Sequence, residues 1–532
     1  MHTIHDDRSL DLRYVTAIHE NGEDFRALDY VIISDRSGRQ WLGQILERSR
    51  NVPVLGNDPL NPILIQGLEL AQTQKNVRSI KSRYLYRILL QGEIRDYLLH
   101  SVRVGPNPGS NSKPADQAEL FRYLKIPAFN QDNDKPNAIG VITNMGDAPL
   151  CWTRELFNTH VSIAGATGCA KSNTGANLIL QACRFGYCTI LHDPKPDYGR
   201  IREKNSDAKV AALWPKFALV GLRPLGLTDV YSIGFHGECD PANVDKVIGL
   251  RSSDFSAREL SGLFFDPKRG EELQYEAFME AFDFLKEKGG SDFDLDQVRK
   301  VLEATPPDQL NEKTKAATLQ KLKRRRRRFP WLDAIGRLVN IPNCSQLTRV
   351  EPFRLQDVVS AGRVIRIAYA PAISNQSYGV LARFFLRSAH IYRADRAHSV
   401  GLVQYVDEGQ RIFETEQPGL ISFFTQITRE GRSRDHSVIL LAQSMTQIPD
   451  VVIQNMGSKI VMLHRSLAIA KKAAEALQGG DDFAYQAMGL QTGEALVSLF
   501  ESRATLLVHM APSPFELERI DNRRLAPTLS QL

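Results

Sequence analysis

Apolar and polar positions fall into two textures along this chain, and the change comes near Thr159. Before it, short apolar runs recur at Tyr14–Ile18, Leu28–Ser34, Trp41–Leu46, Leu85–Gln91, Tyr97–Val104 and Ile139–Thr143. Turn chemistry separates them: Asn21-Gly22, Ser37-Gly38, Gly56–Pro59 and the long polar run Gly105–Pro114. Several short strands with such punctuation predict a small β-barrel or sandwich, and nothing in it looks catalytic. After Thr159 the apolar runs become continuous and alternate with helical patterns. They lie at Val161–Ala164, Thr189–Leu191, Val364–Tyr369, Leu402–Val406, Val438–Leu441, Ile460–Leu463 and Thr505–His509. Runs of that kind suit parallel strands covered on both faces, so a doubly wound α/β core is expected. A segment from about 250 to 345 has no strand pattern. Helical periodicity over Ser256–Leu263, Glu272–Lys288, Leu295–Ala304 and Lys313–Arg328 predicts a helical insertion there. The polar, proline-dotted residues from Pro512 onward predict an exposed extension.

A chain of 532 residues has room for several domains. Its 67 basic and 61 acidic side chains leave a net charge of +6, too small an excess over this length to indicate nucleic acid by itself. Six cysteines (Cys151, Cys169, Cys183, Cys188, Cys239, Cys344) show neither a C-x-x-C pair nor zinc spacing, which points to a reduced, cytoplasmic protein. The N-terminus lacks the apolar centre of a signal peptide, and no stretch reaches the ~18 apolar residues of a membrane span.

Candidate chemistry begins where the strand Val161–Ala164 runs into Gly165-Ala166-Thr167-Gly168-Cys169-Ala170-Lys171-Ser172-Asn173. Strand, glycine-rich turn, Lys-Ser and amphipathic helix together build a cradle for nucleotide phosphates. Backbone N–H groups face the phosphates, the lysine reaches the β/γ-phosphates, and the Ser172 hydroxyl ligates Mg²⁺. One position departs from G-x-x-x-x-G-K-[ST]: Ala170 stands where glycine is expected. If the backbone there needs a positive φ, alanine costs about 1 kcal/mol, a factor of about five.

A second signature, Gly401–Glu408, is an apolar strand ending in Asp407-Glu408. One carboxylate supports Mg²⁺ and the other polarises the attacking water, although strand-ending carboxylates also occur as plain surface residues. Gln443 closes the next apolar strand and either hydrogen-bonds the γ-phosphate or caps a following helix. Arg429, Arg432 and Arg434 precede that strand, as fingers for transition-state charge or as ordinary exposed arginines. Asp193 follows the strand after the phosphate-loop helix, at an active-site edge or simply in an Asp-Pro turn. Between Lys313 and Arg328 lie nine basic residues and no acidic one. Such a run binds a phosphate backbone, docks an acidic partner, or is merely solvated.

These motifs resemble the HerA branch of the HerA–FtsK superfamily of P-loop ATPases. The resemblance rests on Ala164–Asn173, on Tyr405-Val-Asp-Glu-Gly409, on Thr428–Gln443 and on the following Ile448–Ile460. It implies a RecA-like α/β core with an N-terminal β-barrel (residues 1–150), core segments at 151–249 and 346–511, a helical insertion at 250–345 and an extension at 512–532. It further implies a homo-hexameric ring that uses ATP and Mg²⁺ to move double-stranded DNA for a nuclease or sirtuin-like effector, in DNA-end processing or antiphage defence. Carried over by position, Lys171 and Ser172 bind nucleotide and metal, and Asp407 supports the metal. Glu408 becomes the general base, Gln443 the γ-phosphate sensor, Arg432 or Arg429 the finger reaching a neighbouring subunit, and Asp193 an acidic active-site position. A ring scaffold that binds nucleotide mainly to assemble and regulate an effector is the other reading. A membrane-borne DNA pump is disfavoured by the lack of a span.

Overall fold

The computed structural model describes the chain except residues 1, 5–12, 20–24, 52–82, 108, 131–135, 289–291, 340–347, 396, 414–419, 478–479, 501, 503 and 519–532. The turns expected at Asn21-Gly22 and Gly56–Pro59, and Cys344, therefore lie outside the described residues.

Thirteen strands form the main sheet. The phosphate-loop strand Val161–Ala164 lies between His436–Ala442 and Ser458–Met462, parallel to both. The far side of His436–Ala442 pairs with Leu402–Val406, which in turn pairs with Cys188–Asp193. Nearly every residue of these five strands is buried, which is why they read as continuous apolar runs. Register brings their C-terminal ends level: Ala164 lies opposite Ala442, Val406 opposite Leu440, and His192 opposite Val406. Gly165, Gln443, Asp407 and Asp193 consequently emerge along one edge, where ligands of open α/β sheets bind.

Beyond Cys188–Asp193 the sheet continues through Val364–Ala368, Val230–Phe235, Lys246–Gly249 and Glu351–Pro352, still parallel. Val230–Phe235 and Lys246–Gly249 escape the sequence pattern because Ser232, Gly234 and Lys246 interrupt short apolar runs. On the other flank, Glu494–Ser498, Thr505–Met510, Ala138–Ile142 and Ala148–Cys151 follow antiparallel. Two expectations are corrected here. The strand at 505–509 is antiparallel, because it forms a hairpin with Glu494–Ser498. The strand expected at 139–143 belongs to this large sheet, so the N-terminal sheet ends before residue 138 rather than at 150.

That smaller sheet is antiparallel throughout. Its order is Tyr14–His19, His2–Ile4, Asn111–Pro114, Tyr30–Ser34, Gln40–Asn51, Arg83–Arg95 and Leu98–His100, with a further pairing of Tyr14–His19 to Arg83–Arg95. The strand expected over Tyr97–Val104 shrinks to Leu98–His100, since Asp96 and Tyr97 take positive φ to make a tight hairpin. Asn111–Pro114 falls inside the run expected to be only a turn. The helix Gln117–Tyr123, capped by Asp116 and Glu119, also went unread.

The insertion matches its pattern closely, with helices Ala257–Phe264, Glu272–Glu287, Leu295–Ala304 and Glu312–Arg326. Capping boxes at Ser256/Glu259 and Asp294/Gln297 open two of them, and an aromatic core, with Phe282 and Phe293 rings 4.9 Å apart, holds them together. A two-residue ladder, Leu338–Val339 with Thr348–Arg349, is the one strand pairing at its end among the described residues. The extension from Pro512 is not an exposed arm over its first residues. Pro512–Phe515 are buried, and the Phe515 ring packs on Tyr198 at 6.4 Å. The Glu516 and Glu518 amides donate to the carbonyls of Glu203 and Asp197 at 2.9 and 2.7 Å. Two apolar residues in a polar stretch, Phe515 and Leu517, are enough to fold it back. Among the described residues no helix is long and apolar enough to cross a membrane.

Candidate active site

The phosphate loop leaves the sheet at Gly165, whose missing side chain is needed: a Cβ would lie 2.6 Å from the Cys169 sulfur and 2.9 Å from Met462 Cβ. Cys169 is buried beneath the loop, and burial raises its thiol pKa, so it is a packing residue rather than a nucleophile. Gly168 and Ala170 both take left-handed backbone, φ 82° and φ 80°. Ala170 directly precedes the helix Lys171–Arg184, so the methyl group sits where a glycine would be unstrained.

Lys171 Nζ donates to the carbonyls of Gly165 and Ala166 at 2.6 and 3.0 Å. Ser172 Oγ donates to Asp197 Oδ2 at 3.2 Å, and Thr167 Oγ1 donates to Gln443 Oε1 at 3.1 Å. The loop is thus tied to the end of the adjacent strand His436–Ala442, and the start of its helix to the segment that follows Cys188–Asp193.

Asp407 and Glu408 end their strand as expected and behave differently. Burial pushes the Asp407 carboxyl up to about 7, with Glu408 and Asp197 adding to it. Its Oδ1 accepts the Glu408 amide at 2.8 Å. Burial also acts to raise Glu408, but hydrogen bonds from Lys195 and Gln443 outweigh it and hold that carboxyl below its ordinary value. Lys195 Nζ contacts Glu408 Oε1 at 2.5 Å, Gln443 Nε2 reaches both oxygens at 2.9 and 3.0 Å, and Gln410 Nε2 donates at 2.7 Å. The backbone of Glu408 has φ 50°, a strained conformation that aims the carboxylate from the strand end.

A cleft of ≈ 670 Å³ gathers these groups: Thr167, Gly168, Ala170–Asn173, Lys195, Asp197, Asp407, Glu408 and Gln443 are among its lining residues. Val210, Leu213, Met510, Pro512 and Leu517 add apolar wall. Hydroxyl and carboxylate oxygens of Ser172 and Asp407 make a donor set suited to Mg²⁺. Among the described residues no group of three or more His, Cys, Asp or Glu could hold a metal by itself. A metal here would therefore come with phosphate oxygens.

Not every expected residue reaches the cleft. Asp193 is fully buried beneath it, with Oδ2 on Arg366 Nε at 2.8 Å, and burial pushes its carboxyl up to about 7 against that guanidinium. Asp197, four residues later, is the acidic side chain that lines the cleft from this segment. Arg429 and Arg432 are exposed on the helix Leu420–Arg434 and do not line their own chain's cleft; Arg432 stands over the Phe500 ring at 5.6 Å. Lys195, Asp197 and Gln410 are site residues the sequence reading passed over. The flanking prolines of Asp193-Pro-Lys-Pro-Asp197, straight after a core strand, were the available signal.

The basic run is partly neutralised. Lys321 and Arg325 converge on Glu271, at 3.0 and 2.8 Å, and Arg326 reaches Asp296 at 3.1 Å. Lys323, Arg324, Arg327 and Arg328 stay exposed.

Residues 137–343 match the family model described as helicase HerA, central domain. Among solved structures, plasmid coupling protein TrwB in complex with ADP and Mg²⁺ is 12% identical, with 77% of this chain and 94% of that chain covered and a TM-score of 0.49. VirB4 of Thermoanaerobacter pseudethanolicus is 15% identical, with 75% and 100% covered and a TM-score of 0.46. Among functionally curated proteins none matches the chain.

Proposed function

We propose, for a chain whose residues 137–343 match the HerA central-domain model, that it hydrolyses ATP with Mg²⁺ as the subunit of a ring motor acting on double-stranded DNA. The observation that carries this is the single cleft in which Lys171, Ser172, Asp407, Glu408 and Gln443 converge. In this reading Lys171 and the loop amides hold the phosphates, and Ser172 and Asp407 would hold Mg²⁺, which when bound would supply positive charge to the transferred phosphoryl group. Glu408 takes the proton of the attacking water, for which its lowered pKa leaves it ionised. Gln443, bonded to both the loop and the base, reports the γ-phosphate to its strand.

A homo-hexameric ring is supported by the exposed Arg429 and Arg432, which are useful in phosphoryl transfer only if a neighbouring subunit's cleft receives them. DNA is supported by the four basic side chains left exposed at the end of the insertion. We read the N-terminal sheet as a barrel, because its row of pairings returns to Tyr14–His19, and the motor as working with a nuclease or sirtuin-like effector in DNA-end processing or antiphage defence.

The test is ATP turnover by the full chain with and without linear duplex DNA, beside Glu408→Gln, with the assembled mass measured in ATP and Mg²⁺. DNA-stimulated turnover, lost in the variant by about 10³-fold, is expected. A monodisperse monomer under all conditions would sink the motor. Stable rings without stimulated turnover would instead favour a nucleotide-binding scaffold that regulates its effector.

A further inference from the structure

Every catalytic group in the cleft is already partnered by another group of the protein, and one of those partnerships is between two opposite charges. Lys195 Nζ sits on Glu408 Oε1. Its side chain is 45% exposed, while the carboxylate it holds is 9% exposed. The two ends of this pair differ in freedom. Glu408 is fixed by its backbone: its amide donates to Asp407 Oδ1 at 2.8 Å, and the next amide, of Gly409, donates to Leu441 O at 2.7 Å. Gln443 and Gln410 hold its carboxylate from two further sides. Lys195 has a backbone stiffened by Pro194 and Pro196, the latter opening the turn Pro196–Tyr198, yet its four-carbon stem rotates in the open cleft. In any exchange of partners the ammonium group is the part that moves.

We propose that Lys195 is a second phosphate-binding lysine, which exchanges its partner Glu408 for the γ-phosphate of a bound triphosphate. This rests on the nucleotide reading above and sharpens it. Lys195 lines the same cleft as Lys171, Ser172 and Gln443, from the strand end on the opposite side of Asp407-Glu408 to Gln443. A terminal phosphate carries more charge than a carboxylate and offers three acceptor oxygens, so it competes for the ammonium group. A diphosphate leaves that position vacant, and the lysine stays on the base. The consequence is a gate: Glu408 loses its cationic partner only when the γ-phosphate is present, and keeps the neutral Gln443 and Gln410. No bond is made or broken in this step; one ammonium group changes hydrogen-bond acceptor.

Lys195 could instead serve only to neutralise Glu408, whose bare charge would then repel a triphosphate. Removing Glu408's charge separates the two roles, because a pair's coupling vanishes when either partner is gone. The experiment is equilibrium titration of the full chain with ATP and with ADP, in Mg²⁺, in the non-hydrolysing Glu408→Gln background, with and without Lys195→Met. We expect Lys195→Met to weaken ATP about tenfold or more and ADP by no more than about twofold, and Lys195→Arg to restore most of the difference. An unchanged ATP affinity in that background, or equal losses for ATP and ADP, would overturn the proposal. Failure of the Glu408→Gln chain to bind either nucleotide would overturn the nucleotide reading itself, an outcome visible before Lys195 is touched.

Discussion

Replacing Ala170 by glycine separates a strained backbone from a catalytic defect. At φ 80°, ψ 27° the residue occupies left-handed backbone, which costs a side chain with a Cβ about 1–2 kcal/mol. Glycine removes that strain but adds about 0.4–1 kcal/mol of chain entropy to the unfolded state. The net expectation is a gain of ~1 kcal/mol, or a rise of ~2 °C in the melting of the core. The strain belongs to the turn into the helix, and as long as the loop keeps this backbone it cancels between free and bound protein. Affinity for ATP or ADP should therefore move by no more than about twofold, and turnover by less than the factor of about five that the full strain represents. Differential scanning calorimetry and titration calorimetry on the parent chain and Ala170→Gly measure the two quantities. A melting temperature that fails to rise would refute the strain. A tenfold gain in affinity would show that residue 170 changes backbone conformation on binding, and the cancellation argument would fall.

Three further outcomes follow from the packing. Gly175→Ala would place a Cβ 1.9 Å from the hydroxyl of Tyr405, a fully buried ring bonded to Tyr198; overpacking of this kind costs ~3 kcal/mol, and an unchanged urea midpoint would contradict it. Burial lowers His160 and His192 to about 4, whereas the unfolded chain takes up these protons near 6.5. Their stability contribution is complete above pH 6.5 and is lost as pH falls toward 4, about 2 kcal/mol for each between pH 7.5 and 5. Asp193 and Asp407, raised to about 7, gain stability over the same range, so the readout is the difference between parent and His192→Gln in urea titrations at those two values. The variant should be less destabilised at pH 5 by about its 2 kcal/mol share. In the insertion, Glu271→Gln strips the charge that Lys321 and Arg325 share and should loosen the helices by ~2 kcal/mol, read as faster proteolysis within 250–345. Cleavage at the parent rate would count against that ion cluster.

What could be read along the chain was whatever is periodic and local. The five core strands around the phosphate loop are mostly apolar because both faces are covered, and the insertion's helices carry their own periodicity and caps. What escaped depends on partners distant in sequence. Val230–Phe235 is a strand because Val364–Ala368 pairs with it, despite Ser232 and Gly234. Ala138–Ile142 looks like one more N-terminal strand and is claimed by Thr505–Met510, more than 360 residues away. Phe515 is buried because Tyr198 offers it a surface, a fact no window around residue 515 contains.

The site divides along the same line. Lys171, Ser172, Asp407, Glu408 and Gln443 each end or follow a legible strand, and parallel register alone brings them together. Asp193 does the same and is nevertheless drawn under the cleft, because Arg366, on the adjacent strand, reaches its carboxylate. Whether a strand-end carboxylate faces the ligand or the core is decided by its cross-strand neighbours. The next acidic side chain, Asp197, thereby comes to hold Ser172, and Lys195 comes to hold Glu408. Two prolines place both residues just beyond the strand, where the chain has left the regular sheet and turned back over the cleft. Their positions follow from that geometry: the buried aspartate secures the strand end, and Asp197 and Lys195 beyond it reach Ser172 and Glu408.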